Sequence, residues 1–158
     1  MIAYLPFGDW SADGHGQYEN LLIEINSMED LLMAEQKIEA QYGVDFFKGF
    51  AEDYDSPCLS KQCWQALIDN HMPINILIDN VDINFHNNDD YLTTATTLED
   101  VLKNDPNPYV SIDFIKQAFV WLLNQYGANI TQSTVYIPQI NNWTCPGFKT
   151  VGYGCFSD

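Results

Sequence analysis

One stretch limits the architecture more than any other. Residues 112–126, IDFIKQAFVWLLNQY, follow a serine at 111 and precede Gly127. A serine there can cap a helix and a glycine can end one. On a helical projection Asp113, Lys116, Gln117 and Asn124 fall on one narrow polar stripe. Ile112, Phe114, Ile115, Ala118, Phe119, Trp121, Leu122, Leu123 and Tyr126 cover most of the remaining circumference. A helix that is apolar nearly all round belongs at the centre of a fold, so other elements must surround it.

The surrounding elements are marked by their ends. Ser27-Met28-Glu29-Asp30 opens a helix that runs to Tyr42 and stops at Gly43. Val44 to Phe50 suggests a second, short helix. Ser60 caps a helix with apolar positions Trp64, Leu67, Ile68 and His71, ended near Pro73, and Thr97 caps another that stops before Asp105-Pro106. Ile2–Pro6 and Leu21–Ile25 read as strands, as does Ile74–Phe85 from the alternation of Ile74, Ile76 and Ile78. Val135–Pro138 and Lys149–Cys155 read as closing strands. Strands at both ends with helices grouped between them predict an α+β domain. The expectation is a single domain over 1–158, with a small mixed or antiparallel sheet, a buried central helix at about 112–126 and several shorter helices. The length allows a real core, and 46% hydrophobic residues argue against disorder.

Charge then narrows the partners. The chain has 22 acids and six lysines, with no arginine. Twenty of the acids and four of the lysines lie in residues 1–105. Such a surface lacks the clustered Lys and Arg that direct nucleic-acid binding needs, and an anionic membrane would repel it. No apolar run is long enough to span a bilayer. The N-terminus has no signal-peptide pattern, so a cytoplasmic location is expected, with Cys58, Cys63, Cys145 and Cys155 as thiols. A basic protein partner suits the field. The candidate partner surface comprises Glu29, Asp30, Glu52, Asp53 and Asp55, with Asp79, Asp82, Asp89 and Asp90 further along. Ordinary solubility charge would produce the same pattern.

In length, acidity, aromatic content and α+β element order the chain resembles antirestriction proteins of the ArdA type. The resemblance covers composition and order, with no motif matched residue by residue. It implies a phage or mobile-element inhibitor that acts as a nucleic-acid mimic.

An enzyme is the alternative. In the loop 8–16, Asp9, Asp13 and His15 are possible metal ligands, and His15 could serve as a base oriented by Asp13. A glycine-rich turn anchored by Trp10 explains the same residues structurally. On the helix 28–42, Glu35 and Glu39 fall inside the arc of Leu31, Leu32, Ile38 and Tyr42 at roughly 100° per residue. Two carboxylates on a buried face could raise each other's pKa and support acid–base chemistry, or bind a divalent cation. The expected rotation instead buries Leu31, Ala34, Ile38 and Tyr42 and leaves both glutamates at the edge. The alternative function is thus a small hydrolase or metal-dependent enzyme using the Asp9–His15 loop with Glu35 and Glu39.

Other patterns fall short. His71 suits a helix end, where a cation interacts well with the dipole, and His86 sits in a polar loop. The four cysteines lack the tight pairs of a structural zinc site. Asp79 to Asn84 has neither the glycine nor the glutamate of a calcium loop, and alternating acids on the outer face of a strand account for it. No phosphate-binding loop, dinucleotide fingerprint or nucleophile elbow is present, so no cofactor is expected. Trp143, Phe148, Tyr153 and Phe156 could form a homodimer patch or belong to the core.

Overall fold

Four hydroxyl side chains start four helices. In the computed structural model, Ser27 Oγ accepts from Asp30 N at 3.2 Å and Ser60 Oγ from Cys63 N at 3.1 Å. Thr97 Oγ1 accepts from Asp100 N at 3.3 Å, and Ser111 Oγ from Phe114 N at 3.0 Å. Each satisfies a backbone donor that the first turn leaves unpaired. At Thr97 the cap is reciprocal, because Asp100 accepts in turn from the Thr97 N–H.

The structure describes residues 2–9, 18–51, 58–80, 94–106, 108 and 110–133. In chain order they form β1 (Ile2–Asp9), β2 (Tyr18–Ile25), α1 (Met28–Tyr42) and a 3-10 turn (Phe46–Ala51). There follow α2 (Lys61–Asp69), α3 (Ile74–Ile78), α4 (Leu98–Asn104), α5 (Ile112–Gln125) and β3 (Ile130–Gln132). This is an α+β fold.

The sheet is antiparallel in the order β1-β2-β3. Ile2 lies opposite Glu24 and Tyr4 opposite Leu22, and the register slips between Pro6 and Gly8. Ile25 lies opposite Ile130 at the start of β3. Along β2 the period is two: Leu21, Ile23 and Ile25 are buried while Glu24 is exposed. One face of the strand therefore meets the core and the other meets water.

Helix α5 supplies that core. Phe114, Ile115, Ala118, Phe119, Leu122 and Leu123 are all buried, and α1, α2, α3 and β3 pack around it. The Trp64 ring of α2 stacks on Phe114 with centroids 5.7 Å apart. Phe119 meets the edges of Phe47 and Phe50 from the 3-10 turn at 5.7 and 5.4 Å, the edge-to-face geometry that aromatic quadrupoles favour. That turn presses its backbone against the start of α2. The Gly49 carbonyl accepts from Ser60 N at 2.8 Å, and a Cβ at Gly49 would lie 2.9 Å from Cys63 Sγ.

Four expectations need correction. Residues 74–78 are helical, not extended. Pro73 stands at the helix start with φ −59°, Asp79 N bonds back to Asn75 O at 2.9 Å, and Leu77 is the buried position. Proline is pre-set for a helix start, and Ile74 and Leu77 satisfy helical spacing as well as the isoleucines satisfy alternation. Asp79 accordingly follows a helix and does not decorate a strand. The second correction is that α2 ends at Asp69, so His71 lies beyond the helix. Third, Lys116, assigned to the polar stripe, is buried, since neighbouring elements close over α5 there. Fourth, Glu35 is buried together with Leu31, Ala34 and Ile38. It stands one turn from Leu31 and three residues before Ile38, so the stripe that packs inward carries it along.

The proposed closing strands, His86, Cys145, Cys155 and the aromatic patch at 143–156 lie outside the described residues. The strand Ile130–Gln132 was not foreseen. Among the described residues no helix is long and apolar enough to cross a membrane.

Candidate functional site

The last residues of α1, α2 and α5 converge on one polar cluster. Tyr42 Oη donates to Asp69 Oδ2 at 2.7 Å, and Gln65 Nε2, one turn earlier on α2, donates to Asp69 Oδ1 at 2.8 Å. From the end of α5, Tyr126 Oη donates to Gln41 Oε1 at 2.8 Å. Gln41 Nε2 reaches back to Tyr42 Oη at 3.3 Å, which closes the chain across three helices. Burial first, and then its bond to Asp69 and the neighbouring Tyr126, raise the Tyr42 hydroxyl well above the ordinary phenol range. The Tyr42 hydroxyl, then the Gln65 amide, hold the Asp69 carboxyl below its ordinary range, and His71 adds to the effect. A phenol that keeps its proton and a carboxylate with both oxygens engaged are poorly suited to moving protons. The cluster is a fastening.

His71 follows this cluster with φ +59°, a conformation that side-chain-bearing residues rarely adopt. It is the left-handed stop of α2: Met72 N donates to Leu67 O and His71 N to Ile68 O, both at 3.0 Å. The reversal opens a cleft of about 390 Å³ between the end of α2, the start of α3 and the start of α4. Ile68, Met72, Pro73, Ile74 and Leu98 form its apolar walls. His71, Thr96, Thr97 and Glu99 supply its polar groups. Both threonines are already engaged. Thr96 Oγ1 donates to Asp100 Oδ2 at 3.0 Å, and Thr97 caps α4. Backbone and side-chain donors of Thr96, then those of Thr97, hold the Asp100 carboxyl below its ordinary range.

Among the residues singled out from sequence, Glu29 and Asp30 are exposed in the first turn of α1, and Asp79 is exposed after α3. Glu35 is buried and Glu39 half-buried one turn later. Asp9 ends β1 opposite Tyr18. Asp13, His15, Glu52, Asp53, Asp55, Asp82, Asp89 and Asp90 lie outside the described residues. Any meeting of Glu35 and Glu39 with the histidine loop therefore lies outside the described residues. The described residues contain no group of three side chains able to hold a metal ion. Cys58 and Cys63 are buried thiols, and Cys63 Sγ donates to Phe46 O at 3.5 Å.

Sequence reasoning missed Gln41, Gln65, Asp69 and Tyr126, which meet only because three helices end together. The signal at Gln65 and Asp69 was their one-turn spacing. No family model matches the chain, and no curated protein or solved structure matches it either.

Proposed function

We propose that this protein works by binding, presenting carboxylates to a basic macromolecular partner in the manner of a nucleic-acid mimic. The observation that carries the reading is uncompensated surface charge. Among the described residues eight acids are exposed (Glu24, Glu29, Asp30, Asp45, Asp69, Asp79, Glu99 and Asp113) against four lysines. One ion pair forms among them, Lys48 Nζ to Asp45 Oδ1 at 3.2 Å. Burial of Lys116 removes a further cation from the surface. Fields of this kind accelerate encounter with an oppositely charged surface and repel like-charged ones. Cys58 and Cys63 are buried as thiols, which suits a reducing, cytosolic setting.

The test is capture of partners from nuclease-treated lysate at about 50 and about 500 mM salt, where screening differs strongly. A nucleic-acid-binding protein retained at low salt and released at high salt is expected. The double variant Glu29→Lys, Asp30→Lys should weaken that retention. Capture indifferent to salt would overturn the reading.

A further inference from the structure

We propose that the cleft between α2, α3 and α4 receives a lysine or arginine side chain of the basic partner. The proposal rests on the binding reading above and gives it an anchor point. Long basic side chains need two environments, an apolar wall for the methylene stem and an anionic acceptor for the head. The cleft offers both. Ile68, Met72, Ile74 and Leu98 line it, and Glu99 stands exposed at its edge. The Glu99 carboxylate makes no hydrogen bond or ion pair among the described residues, whereas the Thr96 and Thr97 hydroxyls are committed to Asp100 and the α4 cap. Glu99 is thus the acceptor left over.

Side-chain charge favours a cationic occupant. Among the described residues no lysine lines the cleft, and its carboxylate, Glu99, is backed by Asp100 behind the threonines, with the His71 imidazole as the basic group on the opposite side of the balance. The volume, about 390 Å³, sits near the lower end of small-ligand sites (about 300–1,000 Å³). That is room for one side chain and its flanking backbone.

The experiment is a methyl-detected NMR titration of the full chain with a peptide of alternating lysine and glycine, beside a counterpart carrying norleucine for lysine. The lysine peptide is expected to shift the methyl signals of Ile68, Met72, Ile74 and Leu98, and the norleucine peptide to leave them nearly still. Glu99→Gln should weaken the lysine peptide about two- to five-fold, the range of a solvent-exposed ion pair. Gln36→Ala, exposed on α1 and outside the acidic surface, should leave the cleft shifts unchanged. Equal shifts from both peptides would make the cleft a plain apolar pocket and overturn the proposal. Salt-sensitive binding with the cleft methyls unmoved would also overturn it while leaving the binding reading intact. A lysine peptide that binds nowhere at low salt would remove both.

Discussion

Helices α2 and α5 stop in the same way and with different residues. In α2 the N–H groups of His71 and Met72 turn back to Ile68 and Leu67, and in α5 those of Gly127 and Ala128 turn back to Asn124 and Leu123. The residue at the turn has φ +59° in the first case and +91° in the second. In both, the next residue, Met72 or Ala128, is buried. Glycine enters this region freely, but a residue with a Cβ does so at a cost of roughly 1–2 kcal/mol. The α5 stop faces the sheet, where Asn124 holds β3 through its side-chain amide. The α2 stop faces the cleft. One end is thus built with the residue that suits the backbone, the other with a residue that suits its surroundings.

The α5 stop should be the more sensitive to its anchor. Asn124 Nδ2 donates to Ile130 O at 2.8 Å and its Oδ1 accepts from Ile130 N at 2.9 Å, so one side chain imitates a strand partner. Asn124→Ala leaves the backbone of a buried residue without those bonds. A loss of about 2 kcal/mol is expected in chemical denaturation, within the range for an unsatisfied buried polar group. Asn124→Asp keeps the acceptor and loses the donor, so it should fall between the two.

Making the α5 stop resemble that of α2 tests whether conformation alone separates them. Among the described residues nothing lies within 4 Å of where a Cβ would sit on Gly127. Gly127→His therefore adds no clash, and its expected cost of about 1–2 kcal/mol is purely that of the left-handed backbone. A neutral result would mean the stop tolerates side chains, and the two ends would no longer differ in conformational cost.

Sequence disclosed these two ends unequally, for a physical reason. Gly127 was legible because glycine after an apolar helix is a local signal, and so were the four hydroxyl caps, which act on donors two or three residues away. His71 reads as part of α2 because its spacing from Trp64 fits a helix. Its actual role depends on Met72 being drawn into the core, and that is a tertiary effect. The same limit applies to Ile74–Ile78, where five residues satisfy both periods, and to Glu35, whose burial depends on how α1 rolls against α5 and the 3-10 turn. Local chemistry wrote the ends of the elements clearly. The spacing of Gln65 and Asp69 is a local signal, but their meeting with Tyr42 is invisible in sequence because no short-range pattern says which helices finish side by side.

That cluster offers a smaller test on the α2 side. Tyr42→Phe removes the hydrogen bond to Asp69 and should cost about 1 kcal/mol at neutral pH. Asp69 is held below its usual value of 3.8 in the folded chain. Its contribution is therefore complete above that pH and is lost as pH falls through the lower folded value. Tyr42→Phe should flatten stability against pH below about 3.8 and leave the slope above pH 5 unchanged, measured as melting temperature in low-salt buffers. An unchanged acid limb would show that Gln65 and His71 alone hold the carboxylate.

The smallest expected change is the most informative. His71→Gly gives the α2 stop the residue that α5 already has, and relief of the left-handed strain should outweigh the extra freedom glycine brings to the unfolded chain. A net gain of about 0.5–1 kcal/mol is expected. The same substitution removes the imidazole from the edge of the cleft and leaves Glu99 and the apolar walls in place. If stability rises while lysine-peptide binding is unaffected, His71 is a tolerated imperfection in the stop. If stability rises and binding falls, the chain maintains a strained residue because the cleft uses it, the pattern expected where strain persists at a working site. If stability falls, the imidazole itself stabilises the α2 stop, and the two ends differ by more than backbone conformation.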